Sequence, residues 1–275
     1  MGAGKVGFSL GKFFTVTNLN VRGYYSRSEA SAREAAEFTN TAYFREVQDL
    51  IKNSDIIFIT VPDDEIFSVY SSIKNNSLNG KILCHCSGSL SSNIFSGIDD
   101  FDAFSYSIHP IFPIYNKYES YRYLKDAVFT IEGHPRFLNA LTELFERCKV
   151  KILPIQQSDK RLYHLAAVTV SNLFLALVKR SCGYLKQYGF SEEEALQALY
   201  PLMLSNINNA LDKGVLNALT GPAERGDLNT IAGHIDVIPA EHRSAYRDLT
   251  RELISMAEEK NPNRDYSSLE EYLKG

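Results

Sequence analysis

Seven short runs rich in β-branched or aromatic residues punctuate the first 155 positions, and polar, helix-forming segments separate them. The runs are NVRGYY (20–25), TAYF (41–44), DIIFITV (55–61), KILCHC (81–86), AFSYSI (103–108), AVFTI (127–131) and VKILPI (150–155). Strand-like runs alternating with helical ones predict parallel strands joined by crossover helices. Among the helices, GKVGFSLGKFF (4–14) puts Val6, Leu10, Phe13 and Phe14 near one face. SEASAREAAEF (28–38) predicts a helix capped by Ser28 with Glu29 in its first turn. REVQDLIKN, DEIFSVYSSIK and PRFLNALTELFERC complete the set.

After Ile155 the texture changes, and the chain continues as amphipathic helices. The division expected is an α/β domain over 1–155 and an all-α domain over 156–275. The segment from Ser158 to Gly189 predicts one long helix, of a length that serves as a domain backbone or a dimer interface. Shorter helices are expected over 191–199, 200–214 and 240–260. The polar tail from Asn261 is expected to fray or dock loosely.

Composition narrows the function classes. The 275 residues suit about two domains. With 44% hydrophobic and 23% charged residues the chain is ordinary for a soluble protein. A net charge of -4 argues against nucleic acid as partner, which would call for a basic stripe. The most apolar stretch, LAAVTVSNLFLALV (165–178), is shorter than the roughly 20 residues that span a bilayer and carries Ser171 and Asn172, so no membrane partner is expected. Cys84 and Cys86 are too closely spaced for a zinc knuckle, and Cys148 and Cys182 complete no ligand set. No metal is therefore expected, and reduced thiols point to the cytoplasm.

Gly2, Gly4 and Gly7 fall in the spacing G-x-G-x-x-G. In a dinucleotide cradle the first glycine makes a tight turn, the second lets backbone amides approach the diphosphate, and the third allows close packing of helix on sheet. Lys5 and Val6 belong to the same loop. A Walker loop fits poorly, because Gly7 and Gly11 are one residue too close and Phe13 stands where a magnesium-binding hydroxyl belongs. About 20 residues beyond the glycines, an NAD site places a carboxylate. Here Ser26, Arg27 and Ser28 stand instead, which suits a 2'-phosphate and favours NADP. The plainer alternative is that Ser28 caps its helix and Arg27 is solvated.

The cradle normally follows a buried strand, yet only Met1 precedes Gly2. In the doubly wound order that strand lies at the sheet centre, between the strands ending near Tyr25 and Val61. The expectation is a slot with unpaired edges on both sides, and a natural chain that begins upstream.

Five stretches, GAGKVG (2–7), YSRS (25–28), HCSGSLSS (85–92), SIHPIFPI (107–114) and YHLAAVTVSNLFLAL (163–177) with LTGPAERGD (219–227), carry a family resemblance. The chain resembles the Rossmann-like NADP-binding oxidoreductases that have a C-terminal helical domain of unknown function. It is similar, more distantly, to pyrroline-5-carboxylate reductase and the β-hydroxyacid dehydrogenases. The resemblance implies a doubly wound, mostly parallel Rossmann sheet followed by an all-α domain that often forms dimers, and NADP-dependent redox chemistry on an unassigned substrate.

Ligands of an open parallel sheet sit beyond the carboxyl ends of its strands. Three loops should meet there: Val61, Pro62 and Asp63 after one strand, Ser87, Gly88 and Ser89 after the next, and His109 after a third. Hydride transfer needs aligned partners and a group that handles the accompanying proton. His109 and His164 are the candidates. On a helical wheel Lys160, His164 and Ser171 share a stripe, with Asn172 at its edge, and this stripe is expected to face the substrate. Arg225 is a candidate for a substrate carboxylate, with pairing to Asp227 the structural alternative. The expected protein is a homodimeric oxidoreductase acting on a small-molecule substrate. The rival class is a nucleotide-binding or interaction protein without turnover, or an inactive fragment.

Overall fold

The computed structural model describes residues 1–274. All seven apolar runs form strands: β1 (Gly23–Tyr24), β2 (Ala42–Tyr43), β3 (Ile56–Ile59), β4 (Ile82–His85), β5 (Phe104–Pro110), β6 (Val128–Gly133) and β7 (Lys151–Pro154). They are interleaved with α1 (Lys5–Val16), α2 (Glu29–Thr39), α3 (Val47–Lys52), α4 (Ile66–Ile73) and α5 (Leu138–Arg147). Strands β3 to β7 pair in sequence order, all parallel except the β5–β6 pair, and β1 pairs with β2 in a separate parallel ribbon. The alternation of β3 sends Ile57 and Ile59 into one apolar cluster, while Ile56 and Phe58 pack against the other with Leu10, Phe13 and Phe14 of α1. Ser28 caps α2 by accepting from the Ser31 amide.

The expected slot is present between β1 and β3. Met1 and Gly2 hold its carboxyl end: the Met1 amine donates to Phe58 O at 2.6 Å, Thr60 N donates to Met1 O at 2.8 Å, and Gly2 N donates to Tyr25 O at 2.9 Å. These bonds are rungs of a parallel ladder. Beyond them lies a cavity of about 300 Å³ lined by Leu10, Phe14, Gly23, Ile56 and Phe58 among others. The amine is buried there, and desolvation pushes its pKa down to about 5.

Two compact units divide at Phe174 and Leu175 rather than at 155. The composition change at 155 marks the last strand, whereas the next helix still packs on the sheet through Lys160, and this moves the boundary. The helix runs without a break from Gln157 to Lys186 as α6 (Lys160–Val168), a π-helical turn (Thr169–Leu173) and α7 (Phe174–Lys186). By length and composition alone this 30-residue helix could cross a bilayer, contrary to the expectation from the shorter apolar stretch.

The second unit continues with α8 (Glu192–Lys213), α9 (Val215–Ala218), α10 (Pro222–Arg225), α11 (Leu228–Val237), α12 (Arg243–Lys260) and α13 (Ser267–Lys274). Two expectations are corrected. The helix pair expected around Pro201 is one helix, because proline removes only a single helical hydrogen bond and a capping box of Ser191 and Glu194 secures the start. The tail does not fray: Tyr266, Leu269 and Leu273 recur at helical spacing and are buried with Ile231, Ile235 and Ile254.

Candidate active site

The glycine loop forms as its spacing requires. Gly2 takes φ +91°, and a Cβ on Gly7 would stand 2.3 Å from Gly2 O, so only glycine allows α1 this close to the loop. Gly4 is the N-cap of α1 and offers no side chain to the first-turn amides, and the space beside its Cα is open. Gly2, Gly4, Ser26, Arg27, Ser28, Val61 and Pro62 line one cavity of about 600 Å³. Arg27 is exposed and forms no ion pair among the described residues. Lys5, Val6 and Gly7 lie in the first turn of α1 beside this cavity.

At the next strand ends a polar network joins the loops after β3 and β4 to β5 and the start of α6. The Asp63 carboxylate accepts from Ser87 Oγ at 2.6 Å and from Ser89 Oγ at 3.2 Å. Ser87 Oγ in turn accepts from the amides of Ser89 and Leu90. Lys160, 2% exposed, donates to Ser87 O at 2.9 Å and to Ser107 Oγ at 2.8 Å. Burial lowers its pKa to about 8, with Glu132 opposing the fall. Glu132 is itself buried and accepts from both the amide and the hydroxyl of Ser92. His85, below the loop, accepts from Ser87 N at Nδ1 and so donates from Nε2 to Ser91 O.

His109 and His164 meet, their ring centroids 6.2 Å apart. His109 Nδ1 lies 2.7 Å from the Tyr163 hydroxyl. Burial, aided by the charge of Lys160, lowers the His109 pKa to about 4. Gly88 leaves room for both rings: a Cβ there would stand 2.9 Å from His109 Nε2 and 2.5 Å from His164 Cδ2.

Ser171 and Asn172 stand in the π-helical turn Thr169–Leu173. Ser171 donates to Ala167 O at 2.6 Å and to Asn172 Oδ1 at 3.1 Å, and among the described residues neither hydrogen-bonds to the histidine cluster. In the second unit Arg225 lies 3.9 Å from Asp227, whose carboxylate caps α11. Tyr163, Ser107 and Glu132 were not singled out by sequence, whereas Ser89 was. The i, i+3, i+4 spacing of Lys160, Tyr163 and His164 is the signal that could have found Tyr163.

Residues 1–110 match the Rossmann-like domain family, and residues 127–253 match the domain of unknown function DUF2520. Among solved structures, the chain is similar to protein TM1727 from Thermotoga maritima, with 29% identity, 94% of this chain and 98% of that one covered, and a TM-score of 0.74. It is similar to a putative NADP oxidoreductase from Bacteroides fragilis at 21% identity, covering 92% and 96%, with a TM-score of 0.73. A pyrroline carboxylate reductase from Plasmodium falciparum, solved with NADP bound, shares the fold at 14% identity, covering 94% of each chain, with a TM-score of 0.59. No curated protein matches the sequence. The chain thus carries a match to a Rossmann-like domain followed by a match to DUF2520, in keeping with its strand order and glycine loop.

Proposed function

We propose that this protein is an NADP-dependent oxidoreductase that transfers a hydride to or from a small carbonyl, imine or hydroxy compound, working in the cytoplasm as a homodimer. The observation that carries it is a convergence at the strand ends. The glycine loop and Arg27 line a cavity there, and the loops after β3 and β4 with the end of β5 bring Asp63, Ser87, Gly88 and His109 to Lys160 and His164. The nicotinamide cofactors named for the similar reductases agree with this.

NADP suits the residues present. Uncapped first-turn amides of α1, open space at Gly4 and the close approach at Gly7 fit a diphosphate held by Gly2, Gly4, Lys5, Val6 and Gly7. Arg27, without an ion pair, fits a 2'-phosphate together with the hydroxyls of Ser26 and Ser28. The bound cofactor supplies or accepts the hydride. Around it, Val61, Pro62, Asp63, Ser87 and Gly88 shape the reacting end, and Lys160 fixes the Ser87 loop from beneath. His109 and His164 stand where the proton must be handled.

The homodimer rests on exposed apolar side chains. Tyr200, Leu204, Ile207 and Leu211 recur at i, i+4, i+7 and i+11 along α8 and are all exposed. A second copy covers such a stripe better than water does.

The test is NADPH fluorescence titration combined with a panel of keto acids, ketones and imines followed by absorbance. Saturable binding with turnover of one class supports the proposal. Binding without turnover, with His109 and His164 tolerant of replacement, favours the interaction protein.

A further inference from the structure

We propose that Tyr163 is a positioning residue that holds His109 as the neutral Nε2–H tautomer, making His109 a hydrogen-bond donor to a carbonyl oxygen of the substrate. This rests on the oxidoreductase assignment above and narrows its substrate class.

The geometry assigns the proton. The Tyr163 hydroxyl lies 2.7 Å from His109 Nδ1, with the rings edge to face, and Thr130 Oγ1, buried and without another partner, stands on its other side. A phenol is a better donor than acceptor, and burial keeps this one protonated by raising its pKa. If Nδ1 carried the hydrogen, the tyrosine would have to donate to Thr130 Oγ1, and the buried Thr130 hydroxyl hydrogen would then have no acceptor, whereas a chain from Thr130 to Tyr163 to Nδ1 satisfies every donor. Tyrosine therefore donates to Nδ1, and the ring's single hydrogen sits on Nε2. Nε2 has no protein partner among the described residues and faces the gap that Gly88 leaves open.

The surroundings keep the imidazole uncharged. The groups facing it are Lys160, Tyr163 and His164 from the long helix, Asp63 from the loop after β3, and His85 from β4. Burial and the Lys160 ammonium outweigh the Asp63 carboxylate. A neutral N–H donor demands an acceptor lone pair. A carbonyl oxygen has one, whereas a protonated imine has none and would be repelled by Lys160.

The proton balance follows. A reduced nicotinamide held at the glycine loop would supply the hydride, and as the carbonyl is reduced its π pair moves to oxygen. That oxygen takes the Nε2 proton while Nδ1 takes the Tyr163 proton, and a water then reprotonates Nε2 as Nδ1 returns its proton to the phenolate, which restores the starting tautomer. In the oxidation direction each transfer reverses.

The experiment uses the full chain labelled with ¹⁵N-histidine, with long-range ¹H–¹⁵N correlation at pH 7 and no cofactor. The expected spectrum shows His109 with a protonated Nε2 and a bare Nδ1, unchanged from pH 5.5 to 8. Tyr163→Phe should mix the tautomers and lower kcat on the best carbonyl substrate about 10- to 100-fold while KM stays within about threefold. A charged ring or an Nδ1–H ring in the unsubstituted chain overturns the proposal, whether or not Tyr163→Phe folds. So does an unaltered His109 spectrum in folded Tyr163→Phe. If the tautomer is as expected but no carbonyl compound is turned over, the positioning role stands and the oxidoreductase assignment fails. Turnover of protonated imines alone, with the expected tautomer, overturns the carbonyl assignment.

Discussion

The Lys160 ammonium, on the first turn of the long helix, donates to the carbonyl of Ser87 at the end of β4. One bond thus ties the helix that carries His164 to the loop that carries Gly88. A buried cation there is costly, and its lowered pKa measures that cost. The folded chain releases this proton near pH 8 and the unfolded chain near 10.5, so the unfolded state binds more protons across that window. Stability should therefore climb between pH 8 and 10.5, by roughly 2–3 kcal/mol. Lys160→Met should abolish the climb and reduce kcat/KM at least about 100-fold. Urea melts of both chains across that pH range measure the first effect, and initial rates measure the second.

Gly88 sets the spacing of the histidine pair. Gly88→Ala places a methyl against His109 Nε2 and His164 Cδ2 at distances no real Cβ tolerates. We expect a loss of about 1–3 kcal/mol in stability from overpacking and of about 100-fold in kcat, because the rings must leave their places. Thermal unfolding and steady-state rates on the same preparation check both. A variant with native rates would mean the rings are not in the path of the reaction.

The slot between β1 and β3 makes a separate prediction about stability. The Met1 amine is buried against Phe58 O, with its pKa lowered from 8.0 to about 5. Between those values the unfolded chain binds more protons, so this polypeptide should gain stability as pH rises from 5 to 8, by up to roughly 4 kcal/mol. Extending the chain ahead of Met1 by five apolar, β-branched residues should remove that pH dependence and raise Tm by several degrees, since new rungs would reach Phe58 and Ile56. Differential scanning calorimetry of the two chains at pH 5, 6.5 and 8 reads both effects.

The apolar stripe on α8 predicts the oligomer. Sedimentation equilibrium should give twice the chain mass, and Ile207→Glu with Leu211→Glu should give monomers of unchanged helix content. A monomeric unsubstituted chain at micromolar concentration would mean that something else covers the stripe.

Much of the fold was legible because local patterns carried it. All seven strands were visible as β-branched or aromatic runs. Other features lay in interactions that spacing along one helix does not encode. The π turn at 169–173 arises inside an apolar run, and neither it nor the local hydrogen bonds of Ser171 to Ala167 and Asn172 can be read from residue spacing. The docking of Tyr266, Leu269 and Leu273 was hidden by the polar residues around them. Tyr163 was passed over because a tyrosine on an apolar helix looks like core, and only the strand end bearing His109 gives it a partner. The domain boundary moved because Lys160, one charged residue among many in the sequence, is held inside the sheet unit.

The central claim is that the glycine loop and Arg27 form one site for a phosphorylated dinucleotide. Fluorescence titration of NADPH and NADH against the full chain and Arg27→Ala tests it most directly. The account predicts that the full chain binds NADPH at least about tenfold more tightly than NADH, and that Arg27→Ala loses about 1.5–3 kcal/mol for NADPH while NADH affinity hardly changes. Equal affinity for the two nucleotides, or an equal loss of both on replacing Arg27, would contradict it.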